Sequence, residues 1–301
     1  MKSLTKTFSI GGQVNRLHRR LVRNLALLMI LVVGLVMSAT LYYDDRLVNS
    51  LSRQLIEKST FATDEHLTHY FESPEQNLRI AQRQLELANY RDPKIVEKLF
   101  IGMTPYLEEY ERLSGLIVAD MEGNEFFLLK KQGEFLTRLI DVERYGKQQA
   151  NWVRWQNGQA IDSWSQRTDY DPQQRPWFRN AVHSELDSIH WTKPYAFHTT
   201  GQIGITVSSK WEKPDTRDMF VTAFDITLSD ISRFTTRVRP SKNGKALVVL
   251  EDSRILGLPA SERFREDRVR DNAVLSRVTE LNMPEVTDGF TQWEQRGRGT
   301  E

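Results

Sequence analysis

The residues with the greatest potential for binding chemistry lie in residues 168–178 and at two positions downstream. In chain order they are Tyr170, Arg175, Trp177, Phe178, Tyr195 and Asp225. A guanidinium can hold an anionic group through two parallel N–H bonds, and a carboxylate can hold a cationic group. The aromatic side chains add hydroxyls, an indole N–H and ring faces. These residue types indicate a binding site for a small polar molecule.

Each of these side chains also has a purely structural interpretation. Trp177 and Phe178 open a predicted helix and suit a protein core, while Tyr170 could be a buried tyrosine with a backbone partner. Arg175 and Asp225 could pair with each other or with neighbours. Asp225 could also cap the helix that follows it. The residue types alone leave both interpretations open.

Catalytic chemistry has little support in the sequence. The chain has no cysteine, which excludes disulfides, thiolate catalysis and Cys-ligated zinc. His183, His190 and His198 lack metal-ligand spacing, and His66 and His69 lack a third ligand. The net charge of +1 argues against nucleic acid as a partner. We therefore predict no catalytic residue, no metal and no cofactor.

The N-terminus has the pattern of a membrane anchor. Leu25–Tyr43 is an uncharged, apolar stretch of 19 residues, about the length that crosses a bilayer in a helix. Four arginines precede it and two aspartates follow it: Arg16, Arg19, Arg20, Arg23, Asp44 and Asp45. This asymmetry predicts a cytoplasmic segment 1–24, an inner-membrane helix 25–43 and an extracytoplasmic remainder. A cleaved signal peptide and a buried core helix are the alternatives.

Beyond the anchor, the patterns predict an α+β domain with an antiparallel sheet. A long stalk helix should start at Asp44, be kinked or broken at Ser73–Pro74 and end at 91–93, and Pro105 should disrupt a second, shorter helix. Strand signals follow at 113–119, 125–130, 152–155, 160–162, 189–197, 202–211 and 219–226, with short helices near Pro176 and at 228–234.

The pattern starts again near Lys245. A hairpin over Ala246–Pro259 and a helix from about 261 to 280 are predicted, after which the chain stops. We therefore expect one module over 44–240, which includes the long helix, and the opening of a second, incomplete module over 241–301. The chain is interpreted as a fragment of a longer protein.

The stretch from Thr168 to Phe178 resembles the double Cache family of extracytoplasmic sensor domains. Pro194–Tyr195, the polar strand Gly201–Ser209 and Ala223–Leu228 match further parts of the family pattern in the expected order. The resemblance covers about residues 44–260. It implies a PAS-like antiparallel-sheet Cache module, membrane-distal, followed by the start of a second Cache module.

The resemblance also implies roles for the candidate residues. Five of them fall on positions that mark amino-acid binders in the family: Tyr170, Arg175, Trp177, Tyr195 and Asp225. By that pattern, Arg175 and the Trp177 indole N–H hold the ligand carboxylate, and Asp225 neutralises its ammonium. Tyr170 and Tyr195 supply hydroxyls and ring faces. Phe178 stands where the family often has tyrosine, which removes one hydroxyl from the site.

The function implied is the sensing region of a membrane-bound bacterial signal receptor. Its expected partners are the membrane, a small molecule such as an amino acid or an amine, and a second copy of the chain through paired stalk helices. The effector could be a chemoreceptor signalling region, a histidine kinase or a nucleotide cyclase, none of which is visible in this sequence. The alternatives are a membrane-anchored envelope hydrolase and a structural envelope protein without a ligand.

Overall fold

The computed structural model describes residues 11–86, 96–110, 112–131 and 133–298. The chain divides into two compact units, Met1–Thr60 and Phe61–Glu301. Several sequence predictions concern parts outside this description: the helix end at 91–93 and the side chains of Arg16, Arg19, Asp44 and Asp45.

The first unit contains the N-terminal part of a long helix, α1 (Gly11–Glu86). Its segment Arg20–Ser38 has 19 residues, a mean hydropathy of 2.2 and no buried side chain, so it is long and apolar enough to cross a membrane. Leu31, for example, is 65% exposed. A helix of this kind needs an apolar environment from outside the chain, which a bilayer provides. An N-terminal apolar helix is therefore present where the sequence predicted a membrane anchor.

Within the second unit, α1 continues through Pro74 to Glu86, so of the predicted kink or break at Ser73–Pro74 the break is wrong. Proline has no N–H to donate to the carbonyl of the residue four positions earlier, here Tyr70. Arg112 replaces that donor, because its Nη1 lies 2.9 Å from the Tyr70 carbonyl oxygen. A contact from a distant part of the chain thus stabilises the helix at the position where the local sequence weakens it.

The second helix, α2 (Val96–Glu109), continues through Pro105. The prediction that Pro105 disrupts this helix is therefore wrong. The carbonyl left without an N–H partner belongs to Ile101, whose side chain is 59% exposed on the outer face of the helix. Water can reach a carbonyl on that face. The opposite face of α2 buries Leu99 and Met103 against the sheet.

The second unit is built on an antiparallel sheet, as predicted. The strands in the described residues are β1 (Gly115–Asp120), β2 (Glu125–Lys131), β3 (Glu134–Ile140), β4 (Gln149–Gln156), β5 (Gln159–Arg167), β6 (Ile189–Trp191), β7 (Tyr195–Ala196), β8 (Ile203–Glu212) and β9 (Met219–Thr227). Their order is β5-β4-β3-β2-β1-β9-β8-β6, and β7 pairs with β8. Short helices connect them: α3 (Val142–Tyr145) before β4, α4 (Pro176–Val182) before β6 and α5 (Leu228–Thr235) after β9.

Two strand predictions need correction. The single strand expected over 189–197 is two strands, β6 and β7, because Lys193–Pro194 separates them and proline cannot donate to a ladder. Strand β3 has no counterpart among the predicted strands. It carries Arg138 on the face where Leu136 and Ile140 also lie, and a buried cation obscures the apolar alternation of a strand.

The sheet is covered on both faces. On β1, Leu116 and Val118 belong to the larger core, which α1 and α2 complete, while Ile117 and Ala119 belong to a separate core. This second core includes residues of α4 and places Trp177 and Phe178 against the strands. Polar residues that project from the α4 face of β2, β3, β8 and β9 are therefore held in a buried environment.

After α5 the chain forms a two-stranded sheet and two more helices. These elements are β10 (Val248–Val249), β11 (Ile255–Gly257), α6 (Asp267–Ala273) and α7 (Pro284–Gln295). The helix predicted from 261 to 280 is wrong, because short 3-10 turns flank α6 and Leu275 has a positive φ of 63°. Helix α7 was not predicted. The division of the chain at 240/241 stays a prediction.

Candidate functional site

A cavity lies on the α4 face of the sheet, and five of the six predicted site residues line it. These are Tyr170, Arg175, Trp177, Tyr195 and Asp225. The sixth, Phe178, is absent from the lining. It is 4% exposed and packs edge-to-face on Trp177, with ring centroids 5.5 Å apart, as part of the core. The structure thus gives Phe178 the core position that its residue type also allowed.

Asp225 is the buried acid of the cavity. Gly115 of β1 and Thr206 of β8 lie opposite it on the two neighbouring strands. Thr206 Oγ1 donates to Asp225 Oδ1 at 2.6 Å, and Tyr195 Oη in turn donates to Thr206 Oγ1 at 2.6 Å. Burial raises the pKa of Asp225 to about 7, although the Thr206 hydrogen bond opposes that rise. The helix cap belongs to Thr227, so the alternative that Asp225 caps α5 is wrong.

Arg175 lies at the junction before α4, where Pro176 occupies the first turn of the helix. Its Nη2 donates to the carbonyl oxygen of Ala196 at 2.7 Å, and its guanidinium carbon lies 5.3 Å from the centre of the Tyr195 ring. The salt bridge with Asp225 that the sequence allowed is not among the ion pairs of the described residues. Arg175 and Asp225 therefore face one cavity as separate charges.

A buried ion pair forms one wall of the cavity, and sequence analysis did not find it. Arg138 Nε lies 2.7 Å from Glu125 Oε2, and Arg138 Nη2 lies 3.1 Å from Glu125 Oε1. The same Glu125 Oε1 accepts a hydrogen bond of 2.6 Å from Tyr170 Oη. The guanidinium carbon of Arg138 lies 3.9 Å from the centre of the Tyr170 ring. Tyr170 is thus held by a charge pair as well as by packing.

The segment between β7 and β8 covers the cavity. Phe197, His198, Thr199, Thr200 and Gln202 line it. Arg138 Nη1 donates to Thr199 Oγ1 at 2.9 Å, which holds the segment on the site. Burial and the guanidinium of Arg138 lower the pKa of His198, which favours a neutral imidazole there. Sequence analysis considered His198 only as a metal ligand and therefore missed its position at the site.

The charges and the size of the cavity define its chemistry. Glu125 and Arg138 neutralise each other, which leaves Arg175 as a cation and Asp225 as an acid for a ligand. The empty volume among the lining side chains is about 410 Å³, including the part open to solvent. In the described residues, no group of three or more His, Asp or Glu side chains could hold a metal ion.

Comparisons with known proteins agree with this fold. Residues 101–233 match the family model of the methyl-accepting chemotaxis protein-like, first PDC sensor domain. The methyl-accepting chemotaxis protein McpC of Bacillus subtilis is 29% identical over 94 residues, which are 31% of this chain and 14% of McpC. The matched stretch thus spans about a seventh of that relative.

Two solved structures are also similar. The sensory domain of the Campylobacter jejuni chemoreceptor Tlp3 matches with a TM-score of 0.50 and 13% identity, over 73% of this chain and 77% of that domain. The ligand-binding domain of the Pseudomonas fluorescens chemoreceptor CtaA in complex with L-isoleucine gives a TM-score of 0.45 and 16% identity, over 77% and 76% of the two chains.

The helices, the antiparallel sheet and the Tlp3 match define the class of the domain, which has the fold of a PDC or Cache-like sensor domain. Residues 101–233, which match the family model, carry every predicted site residue.

Proposed function

We propose that this chain is the extracytoplasmic ligand-sensing region of a membrane-bound bacterial receptor of the double Cache type, and that its cavity binds an amino acid or an amine. One observation carries the ligand class: a buried acid, Asp225, and a guanidinium, Arg175, line the same small cavity without pairing with each other. A zwitterion supplies an opposite charge to both groups at once. A ligand without a cationic group would leave Asp225 buried with only its hydrogen bond from Thr206.

Ligand binding would act on the segment between β7 and β8, which lines the cavity. Two hydrogen bonds hold this side of the site in place, from Arg175 to Ala196 and from Arg138 to Thr199. A ligand carboxylate would compete for the Arg175 donors. Ligand binding would therefore shift the segment between two positions, which is the kind of change that a sensor transmits.

The relatives favour a chemoreceptor as the whole protein, because McpC is a methyl-accepting chemotaxis protein and Tlp3 is a chemoreceptor. A histidine kinase and a nucleotide cyclase would use the same sensing region. Pairing of the long helices between two copies of the chain is part of the same proposal. An envelope hydrolase or a structural protein without a ligand predicts that no amino acid or amine stabilises the chain.

The test is a thermal-unfolding screen of the full chain in detergent, followed by tryptophan fluorescence. The ligands are the proteinogenic amino acids and the amines that their decarboxylation yields. A ligand at 100-fold excess over its Kd should add about 2.7 kcal/mol to the free energy of unfolding. If no compound raises the unfolding temperature, the ligand class is wrong.

Two variants and a control locate the site. Arg175→Ala should abolish the response to amino acids and leave the response to an amine, while Asp225→Asn should abolish both. Arg179→Ala is the matched control, because Arg179 is an exposed arginine of α4 that does not line the cavity. Wild-type responses in both site variants would show that the ligand binds elsewhere.

A further inference from the structure

A second cleft lies on the other side of the sheet, between the part of α1 after Phe61, the end of α2 and α5. Its empty volume, including the part open to solvent, is about 810 Å³, against about 410 Å³ for the first cavity. His66 and His69 of α1 line it, and so do Arg112, Arg233 and Arg237. The two histidines stand three positions apart on the helix, a pair that the sensor site does not use.

Arg112 is fixed in this cleft before any ligand arrives. Its Nη1 donates to the Tyr70 carbonyl oxygen that Pro74 leaves without a helical partner. Its guanidinium carbon lies 4.8 Å from the centre of the Tyr70 ring and 5.8 Å from that of Tyr110. Two aromatic rings and a carbonyl thus orient a planar group that carries further N–H donors beside Nη1.

The positive charge of the cleft is only partly neutralised. Asp230 pairs with Arg233 at 2.6 Å and also accepts a hydrogen bond from Thr227. Within the described residues, Arg112 and Arg237 have no carboxylate at ion-pair distance, although Glu109 also lines the cleft. Two guanidiniums therefore face one cleft without a carboxylate at ion-pair distance among the residues that the structure describes.

A buried donor supports the same interpretation. The hydroxyl of Tyr70 is buried and has no hydrogen-bond partner in the described residues, and Tyr70 lines the cleft. Burial, reinforced by Asp230, raises the pKa of Tyr70, so the hydroxyl keeps its proton. An unpaired buried donor costs free energy unless a ligand or a water supplies an acceptor.

We propose that this cleft binds a small anion, a carboxylate or a phosphate group, between Arg112 and Arg237. Planar guanidiniums bind such groups through paired N–H bonds. The volume suits a group larger than water, such as a short organic acid or a phosphate ester. Since α5 starts after Thr227, two residues beyond Asp225, an anion here would hold α1 against the helix that follows the sensor strand.

The test measures binding of inorganic phosphate and of succinate to the full chain in nanodiscs of phosphatidylcholine. Unfolding temperature is recorded against anion concentration, with sodium chloride at equal ionic strength as the blank. Both anions should stabilise the wild type in a saturable way. Arg237→Gln and Arg112→Lys should each weaken binding by about tenfold or more, because each loses a paired N–H donor set. Arg296→Gln, an exposed arginine outside the cleft, should bind as the wild type does.

Asp230→Asn separates binding from general stability. Removing this carboxylate frees Arg233 for the ligand, so phosphate should bind more tightly even if the variant unfolds at a lower temperature. The proposal is overturned if neither anion gives a saturable response, or if Arg237→Gln and Arg112→Lys respond as the wild type does. If Arg112→Lys does not fold, Arg237→Gln alone decides. Arg237 is exposed, so its replacement should not prevent folding.

Nanodiscs that contain phosphatidylglycerol distinguish the source of the anion. If the cleft takes a lipid headgroup, these discs should stabilise the wild type without added anion and should remove its response to phosphate. If it takes a soluble anion, the response should be the same in both kinds of disc. In either case Arg237→Gln should remove the effect.

Discussion

Glu125 and Arg138 form a two-point ion pair within the sheet, with Nε–Oε2 at 2.7 Å and Nη2–Oε1 at 3.1 Å. Their side chains are 0% and 3% exposed. A buried pair of this kind holds its partners in place, and here the partners are Tyr170, through Glu125, and Thr199, through Arg138. The pair therefore connects the wall of the sensor cavity to the segment that covers it.

Arg138→Met should lower the free energy of unfolding by about 3–5 kcal/mol, because it leaves the Glu125 carboxylate buried and unpaired. The double variant Arg138→Met/Glu125→Gln should recover a large part of that loss, since no buried charge remains. Denaturant unfolding measures both. Arg144→Met is the control, because the Arg144 side chain is 51% exposed and its loss should cost less than about 1 kcal/mol. Equal stability of the single and double variants would contradict the role of the pair.

Asp225 should make both stability and ligand affinity depend on pH. Its folded-state pKa of about 7 lies above the ordinary value of 3.8, so the folded protein holds this proton more tightly than the unfolded chain does. The contribution of protonated Asp225 to the free energy of unfolding is therefore fully present below about pH 4. It is lost as the pH rises through 7, by up to about 1.4 kcal/mol per pH unit. Denaturant unfolding of the wild type and Asp225→Asn between pH 4 and 8 should show the difference.

The affinity for a cationic ligand should fall as the pH falls, although the stability of the fold rises. Below pH 7 the carboxyl group of Asp225 takes up a proton and no longer neutralises an ammonium group. The Kd of an amine should therefore rise by up to tenfold per pH unit as the pH falls, and calorimetry in buffers of different ionisation enthalpy should detect proton release on binding near pH 7. A Kd that is constant from pH 5 to 8 would mean that Asp225 does not contact the cation.

Gly115→Ala should narrow the sensor cavity. A Cβ on Gly115 would lie 2.8 Å from Phe127 Cε2 and 3.5 Å from Asp225 Oδ2, so the Phe127 ring must move. We expect a loss of about 1–3 kcal/mol in the free energy of unfolding and weaker ligand binding. Gly102→Ala is the control: a Cβ there meets nothing within 4 Å in α2, and the change should stabilise the helix by about 0.5–1 kcal/mol. Unchanged affinity in Gly115→Ala would place the ligand away from this wall.

The orientation of the anchor is testable with reporter fusions. Alkaline phosphatase fused after residue 43 should be active, and a green fluorescent protein fused at the same position should be dark. The reason is that arginines before an apolar segment are expected to keep the N-terminus in the cytoplasm. Replacing Arg16, Arg19, Arg20 and Arg23 with glutamate should reduce or reverse this pattern. Fluorescence from the wild-type fusion would put the sensor on the wrong side of the membrane.

Local sequence signals predicted the elements whose causes are local. The hairpin between β4 and β5 turns at Asn157 and Gly158, which have φ values of 49° and 76°, and this dipeptide favours such a turn in any context. The helix at Pro176 and the apolar N-terminal helix were confirmed for the same reason. Sequence analysis failed where a distant residue supplies what the local sequence lacks. Arg112 completes the helix at Pro74, and Glu125 makes it possible for Arg138 to lie inside a strand.

By itself, the sequence determined the α+β class, the apolar N-terminal helix and the residue types of the candidate site, because periodicity, turn residues and motif spacing are local properties of the chain. Only the tertiary structure decided that Arg175 and Asp225 face one cavity without pairing, that Phe178 belongs to the core and that Glu125, Arg138 and Thr199 complete the wall. These relationships join strands and loops far apart in sequence. Strand register sets them, as when Gly115 and Thr206 take the positions on either side of Asp225.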